Sequence, residues 1–192
     1  DIKEIFINTH YLEEKVFDFF MKYKGKLKVN FLKEKKLKGT GGTLIDNLDL
    51  FKGQDLLVLH ADNYFAESLK NFVKAHQRRN KRLLVTLISF ITDDPKNCGI
   101  CEINKKNIIS KIYEKDKNQT NKIANGAIYF FSKKSLNAMK KIKNKKIHDI
   151  VLDILPNFYD RIINYTSKKF FLDIGIKKNY SRALKTNEKI YY

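Results

Sequence analysis

Two aspartates close short apolar runs that lie far apart in the chain. Leu56-Leu57-Val58-Leu59-His60-Ala61 ends on Asp62, and Phe170-Phe171-Leu172 ends on Asp173, with Gly175 two residues later. The first run is too short for a free-standing helix. Followed by the helical pattern of residues 66–80, it reads as a buried parallel strand whose carboxyl end delivers Asp62 to a ligand crevice. Two strand-end carboxylates can share one hard cation, and Mg2+ typically takes one or two carboxylates together with phosphate oxygens and water. The competing role for either aspartate is a helix N-cap.

The elements that must position them alternate through the first half of the chain. Strands are expected at Ile2–Ile7, Leu27–Leu32, around Leu56–Leu59 and at Arg82–Ile91. Helices are expected over Tyr11–Tyr23, where Leu12, Val16, Phe19 and Phe20 share one face, and over 66–80. The segment Lys38-Gly39-Thr40-Gly41-Gly42-Thr43 reads as a glycine-rich loop leading into a helix over Leu44–Phe51. Beyond the turn Thr92-Asp93-Asp94-Pro95 the pattern turns hairpin-like, with short strands at Gly99–Ile103, Ile108–Glu114 and Asn125–Phe131. Helices at 133–142 and 147–155, strands at Arg161–Thr166 and Lys169–Asp173, and a helix from Lys177 complete the order. The fold class is therefore α/β: a Rossmann-like open sheet, mixed but mainly parallel, with helices on both faces.

At 192 residues and 43% hydrophobic composition the chain suits one domain with one sizeable core. No window approaches the roughly eighteen apolar residues of a membrane span, and Asp1-Ile2-Lys3-Glu4 lacks the layout of a secretory signal. A cytoplasmic protein is expected. Cys98 and Cys101 form an isolated C-x-x-C in a turn, and are read as reduced, structural cysteines. The net charge of +18 raises nucleic acid as a partner. Against that, the lysines are scattered and accompany many Asn, Ile, Tyr and Phe, as a codon bias would produce. The densest cluster, Lys140–Lys146, reads as a solvated helix end.

In this order the segments resemble the sugar-1-phosphate nucleotidyltransferases, in particular the short guanylyltransferase-like members acting on mannose or heptose phosphates. The resemblance runs through Asn8-Thr9-His10-Tyr11-Leu12, through Glu34 with Leu37-Lys38-Gly39-Thr40-Gly41-Gly42-Thr43-Leu44, and through His60-Ala61-Asp62. It continues through Glu114-Lys115, Asn125-Gly126-Ala127-Ile128-Tyr129, and Phe171-Leu172-Asp173-Ile174-Gly175 with Tyr180 and Ala183. It implies an enzyme that makes a nucleoside-diphosphate sugar from a sugar 1-phosphate and a nucleoside triphosphate, with GTP the first choice. Mg2+ would sit between Asp62 and Asp173 as the catalytic pair, and Gly39, Thr40, Gly41 and Gly42 with Asp62 would hold the nucleotide. Glu114, Lys115, Asn125 and Gly126 would hold the sugar phosphate. Partners are then small molecules, with neither membrane nor nucleic acid, and a homo-oligomer is compatible.

The family's leading G-x-G-T-R-L-type strand and loop have no counterpart here. The chain is accordingly expected to be an amino-terminally incomplete fragment, short of a βα unit of roughly forty to fifty residues. His60-Ala61 stands for the family's Asn-Gly, and Gly126-Ala127 for its Ala-Gly, which puts a side chain where the family has none. Two rivals stand beside this reading: a catalytically inactive sugar-nucleotide-binding relative, and a basic nucleic-acid-binding protein.

Overall fold

A computed structural model describes residues 2–142, 146–169 and 171–185. Phe170, and Lys143, Asn144 and Lys145 of the lysine cluster, lie outside the described residues. Among the described residues ten strands and five α-helices appear in the order β1 (Glu4–Thr9), α1 (Glu13–Met21), β2 (Lys28–Lys33), α2 (Gly39–Asp46), β3 (Leu56–Leu59), β4 (Asn63–Phe65), α3 (Leu69–Arg78), β5 (Val85–Ile91), β6 (Gly99–Ile103), β7 (Ile108–Glu114), β8 (Ile123–Phe131), α4 (Lys133–Met139), β9 (Ile162–Thr166), β10 (Phe171–Asp173) and α5 (Lys177–Lys185).

The main sheet has six strands in the order β3-β8-β5-β9-β7-β6. Its directions are mixed. The pairings make β3, β5, β6 and β9 point one way and β7 and β8 the other. Most strands thus share a direction, while among hydrogen-bonded neighbours within this sheet only β5–β9 runs parallel. The βα alternation of the first half produces the shared direction; the hairpin-like middle inserts β7 and β8 against it. The strands β1 and β2 form a separate parallel ribbon, and β4 pairs antiparallel with β10.

Alternation along the strands divides the core between the two faces of the sheet. From β5, Leu87 joins a cluster with Tyr129 and Phe131 of β8, whereas its neighbour Ile88 joins Phe72 and Ile128. The first cluster is covered by Leu44 and Ile45 of α2 and by Leu136 and Met139 of α4; the second is covered by α3 through Phe72. Helices therefore do lie on both faces. Each large apolar side chain so buried is worth about 2–3 kcal/mol. The ribbon joins the first cluster through Phe6, whose ring meets Phe51 edge-on at 5.2 Å.

Local chemistry accounts for the helix starts. Ser68 caps α3 by accepting Lys70 N–H at 3.3 Å, and Ser132 caps α4 by accepting Ser135 N–H at 3.2 Å. Helix α1 departs from its expected burial: none of its residues is fully buried, and Leu12 and Phe19 of the expected apolar face are exposed. Three further differences bear on the site. The glycine-rich segment is the first turn of α2 instead of a loop, and the chain goes on as a separate 3-10 turn over Leu48–Phe51. A short strand, β4, intervenes between Asp62 and α3. The helix expected over 147–155 is a π-helical turn, Ile150–Ile154, followed by a 3-10 turn, Leu155–Phe158, containing Pro156.

Candidate active site

Asp62 and Asp173 meet. The β4–β10 register places Asp173 opposite Asn63, and one step on Ile174 donates its N–H to the carbonyl of Asp62 at 2.7 Å. A β-carbon at Gly175 would lie 3.1 Å from an oxygen of each aspartate, so those oxygens stand no farther apart than twice that distance. Both side chains are exposed, as a cation with water and phosphate ligands requires. Neither is a helix N-cap, because Asp62 leads into β4, Ser68 caps α3, and α5 begins at Lys177. Asp173 is oriented locally: its Oδ1 accepts Gly175 N–H at 2.8 Å, and its carbonyl accepts the Asn179 amide at 2.7 Å.

The start of β8 lies against this pair. Asn63 donates its side-chain amide to the carbonyl of Gly126 at 2.9 Å, and a β-carbon at Gly126 would stand 2.8 Å from the Ile88 carbonyl oxygen and 3.2 Å from the Phe171 ring. The glycine is thus demanded by close approach, and it is buried. Between Leu87 and Ser89 the β5–β8 register shifts, so that Tyr129 and Asn125 face residues only two apart. Inside this bulge Ala127 takes φ +49°, and its N–H is held by Asn125 Oδ1 at 3.0 Å. Asn125 also donates to the phenolic oxygen of Tyr129 at 3.0 Å. Tyr129 is wholly buried, and burial first of all pushes its pKa up, so it is a core residue with its hydroxyl directed toward the site.

Glu114 ends β7 opposite Gly99, where a β-carbon would collide with its carboxylate. Burial, then the charge of Asp149, raises its pKa, while Lys115 opposes them. The Cys98 thiol is raised chiefly by its own burial; the Thr92 hydroxyl opposes this, and the charges of Asp94, Glu114 and Asp173 add to it. Lys115 follows in a left-handed turn, φ +49°, and is exposed. Both cysteines are free thiols, and burial drives that of Cys101 up to about 12, far from a reactive thiolate.

Asp149 has no place in the sequence reading, yet it links these groups to α2. It caps the π-helical turn through Val151 N–H at 2.6 Å and Leu152 N–H at 3.0 Å, and the Thr40 hydroxyl lies 3.5 Å from its other oxygen. Its remoteness from every quoted motif hid it; a lone Asp before an apolar run signals only a cap.

The glycines of α2 are explained by the same neighbour. Gly41 N–H donates to the carbonyl of His148 at 2.9 Å, and β-carbons at Gly39 and Gly41 would fall 2.3 and 2.8 Å from the His148 and Asp149 backbones. Gly39 also takes φ +77°, which favours glycine. Gly41 and Gly42 are buried, which leaves Gly39 and Thr40 as the accessible part of this turn. Buried Glu34 holds the turn in place, accepting Lys38 N–H at 3.1 Å and the Thr43 hydroxyl at 2.6 Å.

The described residues thus bring Asp62 and Asp173 together, with Gly126 held beside them through Asn63; Asn125 joins Tyr129, Thr40 lies against Asp149, and the charge of Asp149 reaches Glu114. No group of three or more His, Cys, Asp or Glu side chains suited to a metal occurs among the described residues. No described helix is long and apolar enough to cross a membrane.

Residues 1–190 match the family model described as nucleotidyl transferase. The chain is similar to the bifunctional protein GlmU of Methanocaldococcus jannaschii, 27% identical over 142 residues, or 74% of this chain and 32% of that protein. It is also similar to the glucose-1-phosphate adenylyltransferase of Clostridium beijerinckii, 24% identical over 148 residues, or 72% of this chain and 38% of the relative. The chain spans about a third to a half of the length of the curated relatives it matches. Among solved structures, HddC from Yersinia pseudotuberculosis superposes with TM-score 0.77 at 24% identity, covering 94% of this chain and 77% of that one. A chain described as a glucose-1-phosphate thymidylyltransferase from Bacillus anthracis superposes with TM-score 0.80 at 17% identity, covering 98% and 77%. These superpositions establish the fold.

Proposed function

Because this chain belongs to the nucleotidyl transferase family, we propose that its cleft serves the transfer of a nucleotidyl group from a nucleoside triphosphate to a sugar 1-phosphate. In that reaction a phosphate oxygen of the sugar 1-phosphate forms a bond to the α-phosphorus, the α–β phosphoanhydride bond breaks, and the electron pair leaves with pyrophosphate. The observation that carries the reading is the convergence of Asp62 and Asp173 beside Gly175.

Two exposed carboxylates at neighbouring strand ends fit Mg2+, which fills its other positions with phosphate oxygens and water. When bound, Mg2+ neutralises charge on the crowded phosphates. The protein's share is placement: the β4–β10 pairing fixes both aspartates, and Gly175 leaves the space between them empty of side chain. On the acceptor side Glu114 and Asn125 offer oxygen acceptors to sugar hydroxyls, and exposed Lys115 offers a cation to the sugar phosphate. Gly126 acts through its backbone, holding β8 against Asn63. On the donor side Gly39 and Thr40 are the groups a base can reach, with Gly41 and Gly42 setting the packing beneath them.

A guanylyl donor is our first choice. The likeness to HddC of Yersinia pseudotuberculosis, whose structure has also been determined complexed with GMP-PN, supports it at the level of fold. The test is pyrophosphate release by the full-length protein with each of the four common nucleoside triphosphates against a panel of sugar 1-phosphates. Turnover with one pair that needs Mg2+ supports the reading. Tight sugar-nucleotide binding with no pyrophosphate from any pair would replace it with a binding protein that has lost the chemistry.

A further inference from the structure

We propose that a cavity at the opposite end of β3 is a second anion site, for a compact ligand carrying a chain of phosphate groups. The cavity, of about 610 Å3, is lined by Arg79 and Lys81 from the end of α3, by Lys133 and Lys134 from the start of α4, and by Asp55. Its volume falls within the range of small-molecule sites. Asp55 immediately precedes β3 and Asp62 follows it, so the two sites lie on the order of 20 Å apart along a strand that rises about 3.3 Å per residue.

The one carboxylate here is already engaged. Asp55 Oδ1 accepts Lys133 N–H at 2.8 Å, and Oδ2 faces His76 Nε2 at 3.5 Å. The cations have no comparable partner. Arg79 is fixed by carbonyls, Nε donating to Leu83 at 2.9 Å and Nη1 to His76, and Lys81 Nζ donates to the carbonyl of Gln77 at 3.0 Å. These bonds hold the two heads still without cancelling their charge. Burial lowers the pKa of Arg79 from its ordinary value, with Asp55 opposing, as expected of a guanidinium short of counter-charge.

Closing the carbonyl end of α3 accounts for Arg79 and Lys81. It does not account for Lys133 and Lys134, which line the same cavity and whose ammonium groups meet no carboxylate among the described residues. Four cations around a concavity against one occupied carboxylate focus a positive field there, and the fixed planar guanidinium suits a phosphate oxygen pair. The proposal is independent of the chemistry assigned to the cleft.

The test is calorimetric titration of the full-length protein with inorganic tripolyphosphate, at near-physiological salt and with a chelator present. The Asp62→Asn background removes metal-dependent binding at the cleft. Saturable binding is expected, weakened about tenfold by Lys133→Ala/Lys134→Ala and less than about twofold by the charge-matched control Lys105→Ala/Lys106→Ala on the distant β6–β7 turn. Absence of saturable binding, equal weakening by both pairs, or indifference to the first pair would each overturn the site.

Discussion

Ile174 donates its backbone N–H to the carbonyl of Asp62 at 2.7 Å, and this bond joins two aspartates that lie 111 positions apart in the sequence. It extends the β4–β10 pairing by one step and brings both carboxylates to Gly175. Asp62→Asn and Asp173→Asn in the full-length protein should each lower the pyrophosphate-release rate at least about a hundredfold, a loss of about 3 kcal/mol of transition-state stabilisation. Circular dichroism should be unchanged, because neither side chain is buried. Near-normal rates in both variants would remove the metal assignment.

Gly175→Ala places a methyl group 3.1 Å from an oxygen of each aspartate, tighter than ordinary contact. The carboxylates must part to admit it. A several-fold rise in the Mg2+ concentration for half-maximal activity is expected, with a change in stability below about 1 kcal/mol at this exposed position. An unaltered Mg2+ dependence would show that the space between the aspartates is not where the ion sits.

Ala127 holds φ +49°, where a side chain costs roughly 1 kcal/mol relative to glycine. Ala127→Gly should therefore raise the thermal midpoint, whereas Gly126→Ala should lower it, since the new methyl meets the Ile88 carbonyl oxygen at 2.8 Å. Thermal unfolding of the two variants side by side checks the pair. Equal effects from both would contradict the bulge geometry.

Glu114 carries its charge at a cost, because burial and Asp149 both disfavour the ionised form. Glu114→Gln should stabilise the fold at neutral pH while raising the KM for the sugar 1-phosphate more than it lowers kcat. Urea midpoints and steady-state kinetics measure the two sides. A KM left at its original value would take Glu114 out of the acceptor site.

His76 is fully buried, stacked on Phe130 at 4.1 Å with Nδ1 2.7 Å from the Thr86 hydroxyl, and burial above all lowers its pKa to about 4, with Arg79 adding to the shift. Its folded value lies below the unfolded value near 6.5, so the unfolded chain binds the extra proton between the two. The resulting stability is fully present above pH 6.5 and is lost as pH falls toward 4, at about 1.4 kcal/mol per unit of displacement. Urea unfolding across that window should show a steep decline that is shallower in His76→Phe. Parallel slopes would mean that carboxylates alone set the acid sensitivity.

Much of this arrangement was legible from residue order. Short apolar runs ending on a carboxylate announced both aspartates, although the first is not the buried parallel strand expected: β3 stands at the end of the sheet order, only partly buried and antiparallel to β8. The β-branched and apolar run Arg82–Ile91 read as a strand, and the structure has it from Val85 to Ile91, buried along most of its length. Position along the chain could not show that Asp62 and Asp173 meet, since β4 has only three residues and exists through its pairing with β10. Nor could it show why Gly39 and Gly41 are glycines. They read as a loop open to a ligand, but the backbone of His148 and Asp149, remote in sequence, occupies the space a side chain would need. Asp149 itself was invisible for the same reason. Local pattern determines which residues are strand, helix or turn, because that depends on side chains a few positions apart. Which carboxylates face one another, and which glycine is there for packing, was decided by long-range register and close backbone approach, and those exist only once the sheet has assembled.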